Sequence, residues 1–254
     1  MVKKILSILL WVVTAGGLIA LFIFAREDYL NTPVKSIRLA PETDTGFVRK
    51  GDLHDEIERI CLSKKIGTVN MQNIENHLKS NPWIERSSSF VDLDGVLNVS
   101  YKEYEPQFRV FDKDGRSVYV TSEGMVIPSS PIYTPYVLIV SGNFELHNDT
   151  STYRLCDTLL RDQNLINALH WCKVIDANRF IKNCIGQLYC NKRDEFELTV
   201  KGISARVIAG DTCDASDKLR RLEIFMKQRI DHPETMAMKN INLNYKNQIV
   251  CTKR

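Results

Sequence analysis

Apolar positions along this chain follow two patterns in turn. The first is an unbroken run: Ile5 to Phe24 contains no charged residue. A helix of that length spans about 30 Å, the thickness of a bilayer's hydrocarbon core. Lys3 and Lys4 precede the run, whereas Arg26, Glu27 and Asp28 follow it with a net negative balance. That asymmetry predicts a cytoplasmic tail over residues 1–4, one membrane helix over 5–24, and an extracytoplasmic remainder. A cleaved signal peptide would carry a shorter apolar core and an Ala-x-Ala-like cut site. Ile23-Phe24-Ala25 places a bulky residue at that point, so the reading is an uncleaved anchor made by Ile5, Trp11, Gly16, Ala20 and Phe24. Gly16 and Ala20 form a small-xxx-small step on which another membrane helix could pack.

Beyond a linker over 25–33 the pattern becomes that of folded, water-facing protein. Asn31-Thr32-Pro33 ends the helix, and Val34, Ile37 and Leu39 predict a short strand. Leu53, Ile57, Ile60 and Cys61 recur at helical spacing, with Asp52 as the expected N-cap. A second helix begins at Asn70, carries Met71, Ile74 and Leu78, and stops at Asn81-Pro82. Ser89 to Leu93 then leads through Asp94-Gly95, a two-residue hairpin turn, into the alternating Leu97, Val99 and Tyr101.

A second region starts at Glu105-Pro106. Phe108–Phe111, Val118–Thr121 and Tyr136–Val140 read as strands. A helix carrying Leu155, Leu159 and Ile166 runs towards Cys172, and another starts near Asn178. Glu195–Val200 and Ala205–Ala209 read as paired strands around Gly202. Asp217 opens a helix with Leu219, Leu222, Ile224, Phe225 and Ile230. The chain ends in an alternating stretch, Ile241 to Val250, expected as one strand. It either closes the sheet from inside or lies at its edge, open to a partner's strand. The fold class is α+β: an N-terminal membrane helix, a βααββ unit over 34–104, and a β-rich domain with flanking helices over 105–254.

Composition adds little beyond globular character, with 44% apolar and 26% charged residues. Net charge is +3 and no basic stripe is present, which argues against nucleic acid as a partner. The seven cysteines cannot all pair within one chain, and their spacing matches neither a Cys-x-x-Cys redox site nor a zinc-finger ladder. They read as small buried hydrophobes, with a Cys184–Cys190 disulfide as the alternative.

Reactive constellations are missing. The chain has no Ser-x-x-Lys, Gly-x-Ser-x-Gly, His-Glu-x-x-His or Walker loop. His170-Trp171-Cys172 puts two possible ligands on different sides of a helix. Asp112-Lys113-Asp114-Gly115 lacks the later acidic ligands of a calcium loop and reads as a solvated turn. Glu103 and Glu105 could share a strand face as paired carboxylates, but they read as exposed strand-end charges. No enzyme activity, metal, cofactor or small-molecule substrate is expected.

Several strings, in order, resemble the FtsQ/DivIB family of bacterial cell-division proteins. They are Asn81-Pro82-Trp83-Ile84, then Val96 to Tyr101 followed by Glu103-Tyr104-Glu105-Pro106, then Val118-Tyr119-Val120. Glu123 to Pro128, Val140-Ser141-Gly142 and Asp217-Lys218-Leu219 continue the series, and Asn242 to Cys251 resembles the ending of the Bacteroidetes branch. The resemblance implies that residues 34–104 form a POTRA-like module and that 105–254 form the family's β-domain. It also implies a scaffold in the bacterial inner membrane, enriched at the septum, with its bulk in the periplasm. Its β-domain would bind FtsB/FtsL-like single-pass coiled-coil proteins, alongside other divisome membrane proteins.

In the family the last strands meet a partner strand near a tyrosine, a position Tyr245 holds here, and Arg193 matches a basic residue before an earlier strand. Lys246-Asn247 replaces the family's small residue after that tyrosine, and its aromatic near the end is absent. The expected partner-binding residues are therefore Arg193, Leu243, Tyr245, Lys246, Gln248 and Val250. The alternative in the transport class is a POTRA-containing accessory of outer-membrane assembly or secretion; no internal repeat supports it. An envelope hydrolase would need the nucleophile and metal motifs that are missing.

Overall fold

The computed structural model describes residues 2–43, 45–146, 150–155, 162–229 and 237–253. Leu159, Cys156 and Ile230, which the sequence reading used, lie outside them. The chain divides into two compact units, Met1–Glu103 and Tyr104–Arg254.

The first unit opens with α1, Val2–Asn31. Within its candidate membrane span, Leu9–Asn31, an 18-residue window reaches a mean hydropathy of 2.0, and none of that window is buried. Residues 25–31, expected as linker, continue the helix instead. Nothing before Pro33 breaks it, and its last turn is held by Asn31 Nδ2 donating to the Glu27 carbonyl and Thr32 Oγ1 to that of Asp28. Strand β1 (Ser36–Pro41), helices α2 (Lys50–Cys61) and α3 (Met71–Lys79), and strands β2 (Ile84–Val91) and β3 (Val96–Glu103) follow. The sheet order is β1-β3-β2, with β1 parallel and β2 antiparallel to β3. Leu53, Ile57, Ile74 and Leu78 from the helices meet Leu97, Val99 and Tyr101 from β3, all buried, in one core.

Three local readings change. Helix α2 starts two residues before Asp52, with Arg49 as an N-cap that makes no side-chain bond. Asp52 therefore sits in the first turn, where its charge suits the helix dipole. The β2–β3 turn is longer than two residues: Asp92 N donates to Val96 O, Gly95 N to Asp92 O, and Gly95 takes φ +82°. Glu103 is buried, not exposed; its carboxylate accepts from Thr45 Oγ1 and from the Phe47 amide at 2.8 Å. A charge-assisted acceptor spent on backbone is a structural group, not half of a catalytic pair.

The second unit is a ten-stranded sheet ordered β13-β12-β11-β10-β9-β7-β4-β5-β6-β8. Its strands are β4 (Pro106–Phe111), β5 (Ser117–Thr121), β6 (Met125–Pro128), β7 (Leu138–Gly142), β8 (Tyr153–Arg154), β9 (Ile185–Cys190), β10 (Phe196–Val200), β11 (Arg206–Gly210), β12 (Met238–Asn242) and β13 (Val250–Lys253). Helices α4 (Gln163–Ala177), α5 (Arg179–Cys184) and α6 (Ala215–Arg229) supply Leu165, Trp171, Ile175, Ile181, Leu219, Leu222 and Met226 to the core. Leu188, Leu198, Val207, Ala209 and Ile241 meet them from the sheet. The strand residues between these, such as Gln187, Tyr189, Glu197 and Ile208, turn to the sheet's other face, as the two-residue period requires.

Asp112 has its side chain fully buried, correcting the solvated-turn reading. It accepts from the amides of Asp114 and Arg116 and from Arg116 Nε, each at 2.9 Å. Asp92 and Asn191 organise the β2–β3 and β9–β10 turns in the same way, with Gly95, Gly115 and Asp194 at positive φ in the three turns. One side-chain acceptor satisfying two turn amides is what makes Asp and Asn good hairpin residues. Cys184 and Cys190 are free thiols.

Candidate partner-binding surface

The expected C-terminal strand is interrupted. β12 ends at Asn242, and residues 243–249 form a loop before β13 pairs back onto β12, with Asn242 opposite Val250 and Ile241 opposite Cys251. Alternation over Ile241–Val250 therefore marks two strands and a loop. The cause is Arg221 on α6, which the sequence reading missed. Its Nη1 donates to the carbonyls of Tyr245 (2.8 Å) and Gln248 (2.6 Å), and its Nη2 to that of Leu243 (3.0 Å). Its Nε donates to Asp217 Oδ2 at 2.9 Å, and only 12% of the side chain is exposed. A planar guanidinium with five fixed donors can gather several carbonyls in this way.

Leu243, Tyr245 and Gln248 do not share the two-residue alternation of one strand, so gathering all three carbonyls on one guanidinium bends the backbone. The loop turns further where the Asn244 amide donates to Asn242 Oδ1 and where Asn247 takes φ 59°. Gly210, at φ +71°, ends β11 directly under Asn244. A Cβ at Gly210 would meet only the end of the exposed Asn244 side chain, which can swing aside, so it is the positive φ that favours glycine there.

This arrangement sorts the six expected residues. Leu243 is fully buried in the core and still extends the ladder, donating to Ile208 O at 2.9 Å; it is no outward contact. Tyr245 has 48% of its surface exposed, and Lys246 and Gln248 are also exposed, all three on the loop and not on a strand. Val250 is half-buried on β13. Arg193 is exposed in the β9–β10 turn. Phe196 lies opposite Gly210, and Ile208 opposite Asn242, so this turn and the 243–249 loop share one end of the sheet.

They do not form one patch. Arg193 borders an open groove of about 950 Å³ on the face away from the helices, with Gln187, Tyr189, Glu197 and Arg206. The Tyr245 loop is held from the helix side by α6. Between them lies a smaller recess formed by Glu195, Asp211, Cys213, Lys218 and Asn244. Its Lys218 is buried, donates to the Asp211 carboxylate at 2.8 Å and stands 5.9 Å from the Trp171 ring centroid. Lys218 holds the Asp211 carboxyl below its usual range. Beside it, hydrogen bonding to Asp211 raises the Cys213 thiol, which keeps it protonated at neutral pH.

β13 is one end strand of the sheet, with no further strand outside it among the described residues. The anchor residues lie on α1: Trp11, Ala20 and Phe24 are exposed, and a Cβ added at Gly16 would meet nothing within 4 Å. His54, Asp55 and Glu58 on α2 could approach one cation, but their exposure is that of ordinary surface groups. Of His170 and Cys172, the histidine is exposed and the cysteine buried, so they do not converge.

No curated protein compared with this chain is similar enough to count as a match. A family model described as FtsQ/DivIB, C-terminal related, matches residues 105–252, nearly all of the second unit and more than half of the chain. With the ten-stranded sheet and the apolar N-terminal helix in place, that match settles the assignment: the protein belongs to the FtsQ/DivIB family of cell-division proteins.

Proposed function

We propose that the protein is a non-catalytic, single-pass scaffold of the division machinery that recruits FtsB/FtsL-like partners by adding a partner strand to β13. The cell-division role follows from the family; the partner and the mode of contact are our reading. The observation that carries it is the position of Val250–Lys253 as an end strand of the large sheet. An end strand presents backbone donors and acceptors, and an extended peptide can complete the ladder. The strand is short and carries Lys253, features by which natural edges resist indiscriminate pairing, so a specific partner must contribute side-chain contacts as well. Tyr245 and Lys246 on the adjoining loop supply an aromatic anchor and a charge. Lys246 alone is worth about 0.2–1 kcal/mol as a rim charge.

In this account the N-terminus is cytoplasmic and α1 holds the bulk in the periplasm as a POTRA-like module followed by the β-domain. Confinement to the membrane raises the effective concentration of other membrane-bound partners. The test compares partner affinity of the full chain with that of Thr252→Pro, Thr252→Ala and Lys246→Ala. The proline variant is expected to weaken binding at least tenfold and Lys246→Ala less than threefold, with Thr252→Ala near wild type. Equal affinities for Thr252→Pro and Thr252→Ala, with the fold intact by circular dichroism, would refute strand addition.

A further inference from the structure

We propose that the membrane-proximal end of the βααββ unit is itself a bilayer-binding surface, with Leu93 at the β2–β3 hairpin tip inserting among lipid headgroups of the leaflet that α1 leaves. The inference rests on α1 crossing a bilayer and is independent of the β13 reading.

The unit is fastened to the helix end by bonds on two sides. On the hairpin side, Tyr29 Oη donates to Val91 O at 2.9 Å and the Lys35 amide to Gly95 O at 2.9 Å. Gly95, at φ +82°, lets the turn approach closely: a Cβ there would lie 3.0 Å from Pro33 O. On the other side, the Ile66 amide donates to Thr32 O and the Val34 amide to Lys64 O, both at 2.9 Å, while Lys65 Nζ donates to Asn31 Oδ1 at 3.0 Å. A Cβ at Gly67 would lie 3.2 Å from Leu30. The hairpin tip and the 62–68 segment therefore flank the last turns of α1.

Strand directions give the same end. β1 leaves α1 and runs parallel to β3, with Ser36 opposite Val96, so the tip joining β2 to β3 is the end of the sheet nearest the helix. Leu30 is six residues past Phe24, or about 9 Å along the axis. Tyr29, whose hydroxyl reaches Val91, is five residues past Phe24, or about 7.5 Å along the axis. Headgroup regions occupy roughly 5–7 Å on each side of the hydrocarbon, and interfacial segments bury about 5–10 Å deep.

The chemistry at that level fits a bilayer surface. Leu93 at the tip is 88% exposed and Phe90 on β2 is 59% exposed, apolar side chains of the kind an interfacial segment buries. Asp92, beside Leu93, is occupied by the turn, accepting from the amides of Asp94 and Val96. Charges nearby almost balance: Arg26, Lys35, Arg38, Lys64 and Lys65 against Glu27, Asp28, Asp92 and Asp94. The partner is thus an interface entered by an apolar side chain, without preference for anionic lipid. Such a second contact would fix the unit's angle to the membrane, where a single helix with a flexible exit would let it swing.

The test places a benzophenone amino acid at Leu93, at Phe22 within α1, or at Lys79, in full-length protein reconstituted into phosphatidylcholine vesicles. α3 runs away from the tip, with Met71 beside Ser89 and Glu75 beside Ser87, which makes Lys79 the distal control. All three positions are exposed, so the substitutions spare the core. Irradiation followed by peptide mass spectrometry is expected to give lipid adducts at 22 and 93, with yield at 93 at least fivefold above that at 79. Replacing half the lipid by phosphatidylglycerol should change the yield at 93 less than twofold. Adducts at 22 with 93 no higher than 79 would overturn the proposal, as would no adduct at 22. A yield at 93 that rises several-fold on anionic vesicles would overturn the apolar-insertion chemistry.

Discussion

Removing Arg221 should release the C-terminal edge of the sheet while leaving its core in place. The side chain contributes three bonds to loop carbonyls and one to Asp217. Hydrogen bonds involving a charged group are worth about 1.5–3 kcal/mol each in net terms. The loop carbonyls are near water and would be rehydrated, so Arg221→Ala should cost about 2–4 kcal/mol, well below the plain sum. The loss should be local, since Leu243 remains packed and β12 keeps its pairing with β11. Hydrogen exchange at pH 7 is the assay. Residues 243–253 should exchange at least tenfold faster in the variant, with α4 and β9–β10 unchanged. Arg221→Lys keeps the charge but lacks the fork, and should fall between the two. If Arg221→Ala leaves exchange of residues 243–253 at the wild-type rate, the clamp does not organise this edge.

Acid should destabilise the fold. Asp217 is held below its ordinary value by Arg220 and Arg221, Asp92 by the Val96 amide, Asp211 by Lys218, and Glu223 by Lys227. A carboxylate whose folded pKa is depressed stabilises fully above its unfolded value, and that contribution is lost as pH falls through the folded value. The melting temperature should therefore stay level from pH 7 to 5 and drop below about pH 4; a rise there would contradict the assignment. Thiol labelling should divide the cysteines. Three thiols are raised, Cys213 by its bond to Asp211, Cys172 and Cys190 by burial (Cys190 up to about 12), but of the three only Cys213 is exposed to reagent. Site-resolved mass spectrometry should find Cys213 modified before Cys61, Cys172 and Cys190, which stay protected until denaturant is added. Cys190 reacting as fast as Cys213 would refute the burial.

Much of the fold is legible from periodicity because its elements bury one face each. The βααββ order, the β10–β11 pair and the late helix all follow from apolar spacing that packing then enforces. What periodicity misses depends on distant partners. β9 was hidden because Ile185-Gly186-Gln187-Leu188-Tyr189-Cys190 follows a helix signal and alternates weakly. Glu103 looked exposed until Thr45 and Phe47, 56 or more positions away, supplied its donors. The candidate edge was legible as to its end of the chain but not its register. Arg221 bends residues 243–248 from 22 to 27 positions away, and no local pattern announces that bend. A lone arginine on a helix normally reads as a solvated charge.

The central claim, that the outer margin of β13 receives the partner, is tested most directly by hydrogen exchange of the full-length protein with and without an FtsB-like ectodomain. The account predicts slowed exchange confined to Val250–Lys253 and the Tyr245 loop. Slowed exchange around Gln187, Tyr189 and Arg206 in the open groove, with Val250–Lys253 unchanged, would contradict it.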